Sequence, residues 1–243
     1  MKGIILAGGL GTRLYPLTHA TNKHLLPVYD QPMIYYPIQT LVKAGIQEIL
    51  IVVGGPHAGD FFKVLKNGKD FGIKHMEFAY QESGDGGIAD ALRLAEDFAE
   101  HDNIAVILGD NCTDADISQQ VKDFKEGAII FLKEVRDPQR FGIAEFDSQE
   151  EKKIISLEEK PQNPKSNLAI TGLYIYDNKV FDYIRQIKPS ARGQYEITDV
   201  NKLYLQAGKL SWAKLESFWS DAGTFDSLYR TGVYWANKKL KDL

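Results

Sequence analysis

Short, uninterrupted apolar segments are the feature that most restricts how this chain can fold. Ile49–Val53 and Ile104–Leu108 contain no polar side chain, and polar or glycine residues flank each of them. Such short segments suit strands, and a strand that is apolar on both sides must be covered on both faces, as in a mainly parallel sheet. The pattern predicts the strands Lys2–Leu6, Glu48–Val53, His75–Phe78, Ile104–Leu108, Ala128–Glu134, Ile154–Leu157, Leu168–Tyr176 and Leu210–Leu215.

Amphipathic segments alternate with these strands. In Ile88–Ala99 the apolar residues recur at three- and four-residue spacing, which gives a helix one buried stripe. Gly45 ends another predicted helix, and Asn178 and Thr224 are predicted N-caps. The alternation in the first half predicts an α/β fold with a doubly wound sheet, and the second half is more strand-rich and mixed. The predicted helices are Met33–Ala44, Ile88–Ala99, Lys179–Ile187 and Phe225–Lys239.

The composition narrows the classes of function. The 243 residues carry a net charge of -4, so no positive field favours nucleic acid or an anionic membrane, and neither is expected as a partner. No apolar run approaches the roughly 20 residues of a membrane helix, and the run Gly3–Ala7 is too short for a signal-peptide core. These features predict a cytoplasmic protein. The one cysteine, Cys112, excludes an internal disulfide and is expected to be buried.

A glycine-rich loop directly follows the first predicted strand, with the sequence Gly8-Gly9-Leu10-Gly11-Thr12-Arg13. Ligands of open α/β sheets bind at the carboxyl ends of strands. Glycines let backbone N–H groups approach a phosphate, and Arg13 adds charge; the alternative is a tight turn with an exposed arginine. The loop lacks the Gly-Lys-Ser/Thr ending of a Walker loop. Lys23 follows the loop, either as a phosphate ligand or as a surface lysine.

Further motifs extend along nearly the whole chain. They read LAGGLGTRLYPLT, NKHLLPV, PMIYYPIQTLVKAGI, QESGDGGIADAL, VILGDN, RFGIAEF, LEEKP, AITGLYIYD, ARGQYEITD and WSDAGT. In this order they resemble the sugar-1-phosphate nucleotidyltransferases, especially the glucose-1-phosphate thymidylyltransferases. The resemblance implies a three-layer α/β nucleotide-binding fold with a mainly parallel, mixed central sheet and a smaller sugar-binding part. It implies one domain over residues 1–243, of which 1–112 mainly bind the nucleotide and 113–243 mainly bind the sugar phosphate.

The resemblance also implies an activity. The enzyme would join dTTP to glucose 1-phosphate with Mg²⁺ as cofactor and release pyrophosphate, and it would form a homo-oligomer as family members usually do. Arg13 and Lys23 would hold the triphosphate, and Gln81 would read the pyrimidine edge together with the backbone around Gly86. The nucleotide-binding residues implied in this way are Leu6, Ala7, Gly8, Gly9, Gly11, Thr12, Gln81, Gly86 and Asp110.

The same resemblance assigns the metal and sugar-phosphate ligands. Asp110 and Asp221 would hold Mg²⁺, although each alone also fits a turn or cap residue. Lys160 would bind the sugar phosphate, and the resemblance implies that it is catalytic together with Arg13 and Lys23. The alternative for Lys160 is a surface salt bridge. The residues implied around the sugar phosphate are Asn111, Gly142, Glu159, Lys160, Ile170, Tyr174 and Arg192.

The residue types suit this chemistry. The attacking phosphate oxygen is already an anion, so the reaction needs no general base, but two polyanions must meet. Cationic side chains and a metal ion meet that need, and Mg²⁺ commonly takes one or two carboxylates together with phosphate oxygens. UTP or CTP as the nucleotide, and a non-catalytic nucleotide-sugar sensor, stay open. Leu14, and the lack of an acid after Val53, argue against a nicotinamide-dependent oxidoreductase.

The chain departs from the longer family members in three ways. They have Lys-Gln where this chain has Lys23-His24, so the resemblance gives little support for a ribose contact at this position. They read Arg-Gly-Glu where it has Arg192-Gly193-Gln194, so Gln194 is given no role. They also carry C-terminal helices that help form a regulatory site, and feedback control by that route is not expected here.

Overall fold

A computed structural model describes residues 1–84, 86–150 and 153–241. Short strands dominate the order of elements, as the apolar segments predict. The strands are β1 Lys2–Ala7, β2 Pro27–Val28, β3 Gln31–Pro32, β4 Glu48–Gly54, β5 His75–Gln81, β6 Ile104–Leu108, β7 Asn111–Thr113, β8 Ala128–Glu134, β9 Gly142–Phe146, β10 Ile154–Glu159, β11 Leu168–Tyr176, β12 Leu210–Lys214 and β13 Trp219–Asp221.

In the part of the chain that the structure describes, one nine-stranded sheet forms the centre of the molecule. Its order is β10-β9-β11-β6-β1-β4-β5, with β8 beside β11 and β12 beside β8. The strands β6, β1, β4 and β5 are parallel to one another. The side chains of Ile4, Ile5 and Ala7 in β1 are fully buried, because both faces of this part of the sheet are covered. The uninterrupted apolar segments therefore form the parallel strands, as predicted.

The other half of the sheet is mixed. β11 runs antiparallel to β6, β8 and β9, whereas β12 runs parallel to β8. The pairing of β11 with β8 is irregular between Ile170 and Tyr174, and the backbone N–H of Gly172 donates to Asn111 Oδ1 at 3.0 Å. This irregularity joins β11 to the segment that follows β6. The expected α/β fold with a mixed central sheet is confirmed.

Helices cover both faces of the sheet and complete three layers. One apolar cluster joins the sheet to α3, α4, α6 and α7, and a second joins it to α1, α2 and α5. A smaller cluster contains the fully buried Cys112 and receives Leu228 and Trp235 of α8. The helices are α1 Tyr35–Lys43, α2 Ala58–Leu65, α3 Ile88–Arg93, α4 Glu96–Ala99, α5 Ser118–Asp123, α6 Val180–Gln186, α7 Ile197–Gln206 and α8 Phe225–Lys241.

Two helix predictions need correction. The segment predicted as one helix, Ile88–Ala99, is divided into α3 and α4, because the N–H groups of Leu94 and Ala95 bond to carbonyls three residues earlier and tighten the turn. Asn178 is not the cap of α6, since its side chain donates to the carbonyl of Glu100 at 2.8 Å. None of the helices in the described part of the chain is long and apolar enough to cross a membrane.

The N-cap prediction at the start of α8 is confirmed. Thr224 Oγ1 accepts from the backbone N–H of Ser227 at 3.2 Å, and Ser227 Oγ accepts from the N–H of Thr224 at 3.0 Å. Two backbone donors at the helix start are thereby satisfied.

Candidate active site

Two cavities adjoin at the carboxyl ends of the parallel strands. The first, the glycine-loop cavity, has a volume of about 280 Å³ and is bordered by Gly8, Gly9 and Gln81. The second, the β11 cavity, has a volume of about 230 Å³ and is bordered by Ile170 and Tyr174 of β11. Both cavities have the following residues in their walls: Arg13, Ile88, Leu108, Asp110, Glu159 and Lys160.

The glycine-rich loop and the segment around Lys23 lie against each other. Gly11 has a φ of 70°, which favours glycine, and its carbonyl accepts from Thr18 Oγ1 at 2.9 Å. A Cβ built on Gly11 would lie 2.8 Å from Cβ of Lys23, so the close approach also requires glycine. The Lys23 side chain is only 12% exposed and lies beside Gly9. Lys23 is therefore a largely covered cation of the site, and its interpretation as a surface lysine is wrong.

Two carboxylates meet at the centre of the site. Asp110 follows β6, and Asp221 ends β13, which pairs with β7 so that Asp221 lies opposite Asn111. Asp110 Oδ2 and Asp221 Oδ2 lie 3.4 and 3.7 Å from the point where a Cβ of Gly223 would stand, so their separation cannot exceed the sum of these distances. The backbone thus brings together two carboxylates that are far apart in the sequence.

The charge around these carboxylates is balanced by cations. Lys23 Nζ lies 2.6 Å from Asp110 Oδ2, and Arg140 Nη2 lies 2.6 Å from Asp221 Oδ2. Burial opposes ionisation of Asp110, but the Lys23 ammonium and hydrogen bonds from Lys23 and Asn111 hold its pKa below the usual range. Burial and the nearby charge of Asp110 raise the pKa of Asp221 to about 6.

The carboxylate pair fits a hard divalent cation. Its donors are oxygens, and the raised pKa of Asp221 reflects burial and like-charge repulsion that a bound cation would relieve. Within residues 1–84, 86–150 and 153–241, no group of three or more His, Cys, Asp or Glu side chains is arranged to hold a metal ion. An ion held by Asp110 and Asp221 would therefore take its other ligands from substrate oxygens or water, as is usual for Mg²⁺.

Glu159 is held in place in the β11 cavity by several partners. Its Oε2 accepts from Thr198 Oγ1 at 2.6 Å, and its Oε1 lies 3.5 Å from Lys160 Nζ and 3.4 Å from Arg192 Nη2. A Cβ on Gly142 would lie 2.8 Å from Thr198 Oγ1, so glycine leaves room for this pair.

The backbone of Lys160 is unusual. Lys160 has a φ of 45°, a conformation that non-glycine residues rarely adopt, and its N–H donates to the carbonyl of Phe141 at 2.9 Å. Such conformations are concentrated at functional sites. Here the conformation directs the chain so that both Glu159 and Lys160 border the two cavities.

Asn111 connects three strands beneath the β11 cavity. Its Oδ1 accepts from Gly172 N–H at 3.0 Å and from Trp219 Nε1 at 2.7 Å, and its Nδ2 donates to Asp110 Oδ1 at 3.1 Å. The Asn111 side chain is buried, so these bonds hold β7, β11 and β13 together at the carboxylate pair.

Gln81 borders the glycine-loop cavity at the end of β5. A Cβ built on Gly8 would overlap Gln81 Oε1, which places the amide oxygen directly against the glycine-rich loop. Gln81 Nε2 donates to Asp90 Oδ2 at 2.9 Å. The buried ring of His24 lies on the same cavity wall, and burial together with the charge of Lys23 lowers its pKa to about 3, so the ring is neutral.

Most of the residues that the sequence implicates border one of the two cavities. Outside these walls, Gly11 supports the fold of the loop and Arg192 pairs with Glu159 and Glu196. The implicated residues in the cavity walls are Leu6, Gly8, Gly9, Arg13, Lys23, Gln81, Asp110, Asn111, Gly142, Glu159, Lys160, Ile170, Tyr174 and Asp221. The implicated residues outside them are Ala7, Gly11, Thr12, Gly86 and Arg192.

Several site residues escape the sequence reasoning. Arg140 pairs with Asp221, and its place in the RFGIAEF motif is a signal that could have indicated it. Asp90 holds Gln81, and Thr198 holds Glu159, through contacts that no local pattern reveals. Gln194, to which the sequence assigns no role, borders the glycine-loop cavity.

Comparison with known proteins identifies the family. A model described as nucleotidyl transferase matches residues 2–237. The glucose-1-phosphate thymidylyltransferase of Neisseria meningitidis is 46% identical over 240 residues, which are 96% of this chain and 82% of that protein. The chain belongs to the nucleotidyl transferase family. The glucose-1-phosphate thymidylyltransferase of Mycolicibacterium smegmatis is also 46% identical, over 94% of this chain and 80% of that protein.

Solved structures of nucleotidyltransferases share the fold. A protein from Bacillus anthracis, assigned as a glucose-1-phosphate thymidylyltransferase and crystallised in complex with a sucrose, superimposes with a TM-score of 0.90 at 49% identity. The match covers 96% of this chain and 94% of that one. A UDP-glucose pyrophosphorylase complexed with UDP-glucose has a TM-score of 0.84 at 23% identity, over 98% of each chain, and shares the fold. The family assignment made from the motifs is confirmed.

Proposed function

We propose that this nucleotidyltransferase transfers the thymidylyl group of dTTP to glucose 1-phosphate, giving dTDP-glucose and pyrophosphate. One observation supports this most directly. The glycine-loop cavity and the β11 cavity meet at Asp110, with Arg13 and Lys160 in the shared wall. Two polyanions can therefore be bound separately and brought together at one centre, and the thymidylyltransferase relatives support the choice of substrates.

In this proposal the triphosphate occupies the glycine-loop cavity. Backbone N–H groups of the loop and the Arg13 guanidinium bind the phosphates, because both offer donors to phosphate oxygens. The Lys23 ammonium, which pairs with Asp110 at 2.6 Å, borders the same cavity and offers further N–H donors to a phosphate. Gln81 hydrogen-bonds to the edge of the pyrimidine, with the backbone near Gly86.

Glucose 1-phosphate occupies the β11 cavity. Lys160 binds its phosphate. Arg192, whose Nη2 lies 3.4 Å from Glu159 Oε1, adds positive charge near that phosphate. The Glu159 carboxylate, held by Thr198, accepts hydrogen bonds from sugar hydroxyls. Tyr174 and Ile170 form the apolar wall behind the sugar.

The side chains orient and neutralise the two substrates. A phosphate oxygen of glucose 1-phosphate forms a bond to the α-phosphorus of dTTP, the bond from that phosphorus to pyrophosphate breaks, and no proton has to move. Holding both substrates in line accounts for much of the acceleration. Asp110 and Asp221 would hold Mg²⁺, which when bound supplies concentrated positive charge at the phosphate oxygens.

A substrate panel tests this proposal. The purified chain is incubated with Mg²⁺ and glucose 1-phosphate together with dTTP, UTP or dCTP, and pyrophosphate release is measured. We expect the highest kcat/KM with dTTP, and mass spectrometry should identify dTDP-glucose as the product. UTP is the important comparison because thymine and uracil offer the same edge to Gln81. Nucleotide binding without pyrophosphate release from any pair would favour a non-catalytic nucleotide-sugar sensor.

The proposal extends to the setting of the enzyme. Residues 1–112 supply most of the glycine-loop cavity and residues 113–243 most of the β11 cavity, which supports one domain with two functional halves. The cytoplasm is the expected location, because nucleoside triphosphates are available there. Self-association into a homo-oligomer stays a prediction, which light scattering of the purified chain would test.

A further inference from the structure

Asp90 fixes the orientation of the Gln81 amide. Both residues are buried, at 5% exposure for Gln81 and 8% for Asp90, and Gln81 Nε2 donates to Asp90 Oδ2 at 2.9 Å. The opposite end of the amide, Oε1, lies against Gly8 at the wall of the glycine-loop cavity. The two ends of the amide therefore face different surroundings.

The surroundings of Asp90 keep it an acceptor. Arg93 Nη2 donates to Asp90 Oδ1 at 2.7 Å, and the hydroxyl of Ser83 donates to Oδ2 at 2.7 Å. An ionised carboxylate only accepts hydrogen bonds. A flipped Gln81 amide would direct its carbonyl oxygen at a carboxylate oxygen, so Nε2 must face Asp90 and Oε1 must face away.

We propose that Asp90 is a positioning residue that sets the pyrimidine specificity of the enzyme through Gln81. The inference rests on the proposed function, in which Gln81 contacts the base. Thymine and uracil carry an N3–H donor beside the O4 acceptor, whereas cytosine carries an N3 acceptor beside an amino donor. An amide whose oxygen is held toward the base accepts from N3–H and leaves its remaining N–H for O4.

Cytosine reverses both partners of this amide. Its N3 would face Gln81 Oε1, which is acceptor against acceptor, and its amino group would face Nε2, which is donor against donor. A freely turning amide would rotate to suit either base, so Gln81 alone does not select between them. Selection requires a fixed amide, and Asp90 is the group that fixes it.

Close packing holds the Asp90 carboxylate in its position beside Gln81. A Cβ on Gly86 would overlap Asp90 Oδ2 and lie 2.6 Å from Ser83 Oγ, so the backbone at Gly86 is pressed against the carboxylate. The carbonyl of Gly86 accepts from the N–H of Tyr195 at 2.9 Å, which anchors this turn to the segment before α7. The carboxylate therefore cannot move away from Gln81 without disturbing both segments.

Specificity ratios test the proposal. For Asp90→Ala, which has no acceptor, the ratio of kcat/KM for dTTP to that for dCTP should fall about 10- to 100-fold. Asp90→Asn keeps one acceptor oxygen and should retain part of the ratio. The KM for glucose 1-phosphate should stay unchanged in both, which a general loss of structure would not produce. Asp97→Ala removes an exposed carboxylate from the neighbouring α4 and should leave the ratio unchanged.

Gln81→Ala separates the inference from the proposed function. In this variant the ratio of kcat/KM for dTTP to that for dCTP should fall as far as in Asp90→Ala or further. Adding Asp90→Ala to it should change the ratio no further, because the amide that Asp90 positions is gone. An unchanged ratio in Gln81→Ala would refute base recognition by Gln81. A lowered ratio in Gln81→Ala, with a wild-type ratio in each Asp90 variant that folds, would overturn only the role of Asp90. Failure of both Asp90 variants to fold would assign Asp90 to stability and also overturn it.

Discussion

The two cavities of the site are built in different ways. Around the glycine-loop cavity, the functional residues come directly at the ends of neighbouring parallel strands: Gly8 after β1, Gln81 at the end of β5 and Asp110 after β6. Around the β11 cavity they are held by contacts between distant segments, such as the bond between Glu159 and Thr198, which are 39 positions apart. The wall of the glycine-loop cavity is thus placed by the ends of the parallel strands, and the wall of the β11 cavity by a few long-range side-chain contacts.

This difference has a consequence for substitutions. A change at a residue that borders only one cavity should affect one substrate, because separate contacts hold the unshared parts of the two walls. A change at the carboxylate pair, where the cavities meet, should affect the reaction of both substrates. Kinetic constants for the two substrates, measured separately, therefore test the comparison.

The largest effect is expected from Asp110→Asn at the centre. Removing one negative charge from the carboxylate pair should weaken cation binding, and we expect kcat to fall about 10²- to 10³-fold. Pyrophosphate release measured over a range of Mg²⁺ concentrations checks this, with thermal melting to show that the fold is kept. Asp116→Asn, an exposed carboxylate beyond β7, is the matched control. Normal Mg²⁺-dependent activity in Asp110→Asn would falsify the metal assignment.

A smaller and more selective effect is expected from Lys160→Ala. Loss of a charged hydrogen-bond donor should raise the KM for glucose 1-phosphate about 10- to 100-fold, with a much smaller change for dTTP. Lys165→Ala, which removes a lysine ion-paired to Glu145 outside both cavities, is the control. Because Lys160 borders both cavities, equal changes in the two KM values would show that the walls do not act separately.

The same contrast explains how much could be predicted from the sequence. The glycine-rich loop, Gln81 and Asp110 follow apolar segments, so the strand pattern alone places them at one edge of the sheet. The closeness of Asp221 to Asp110 depends on the pairing of β13 with β7, two three-residue strands that carry no periodic signal. Short elements of this kind are stabilised by their neighbours and not by their own pattern.

Side-chain partners were the least predictable part. Arg140 reaches Asp221 across 81 positions, and although the RFGIAEF motif could have marked Arg140 as a site residue, it does not indicate which carboxylate Arg140 contacts. Asp90 and Gln81 are only nine positions apart, but Asp90 lies in α3 and reads from the sequence as a polar residue in an amphipathic helix. The partnership depends on where α3 begins relative to the end of β5.

A pair of glycine substitutions compares the two walls directly. In Gly8→Ala the new Cβ would displace the Gln81 amide, and in Gly142→Ala it would lie 2.8 Å from Thr198 Oγ1 and displace the partner of Glu159. Overpacking of this kind should raise KM roughly 10-fold. We expect Gly8→Ala to raise the KM for dTTP alone and Gly142→Ala the KM for glucose 1-phosphate alone. In Gly59→Ala the new Cβ would stand in open space on α2, so this variant is the control.

The smallest effect is expected from removing one hydroxyl that supports each cavity: that of Thr198, bonded to Glu159, and that of Ser83, bonded to Asp90. Thr198→Val keeps the shape of a buried side chain but removes the donor to Glu159, so the KM for glucose 1-phosphate should rise roughly 3-fold while Arg192 and Lys160 still hold the carboxylate. Ser83→Ala removes the hydroxyl that donates to Asp90, and it should change only the kinetic constants for dTTP. The change should be smaller than 3-fold, because Ser83 is exposed and water can replace its hydroxyl. Steady-state kinetics with each substrate varied in turn would measure both. If Thr198→Val changed the KM for dTTP as much as that for glucose 1-phosphate, Glu159, which borders both cavities, would act on both substrates, and its assignment to glucose 1-phosphate would have to be abandoned.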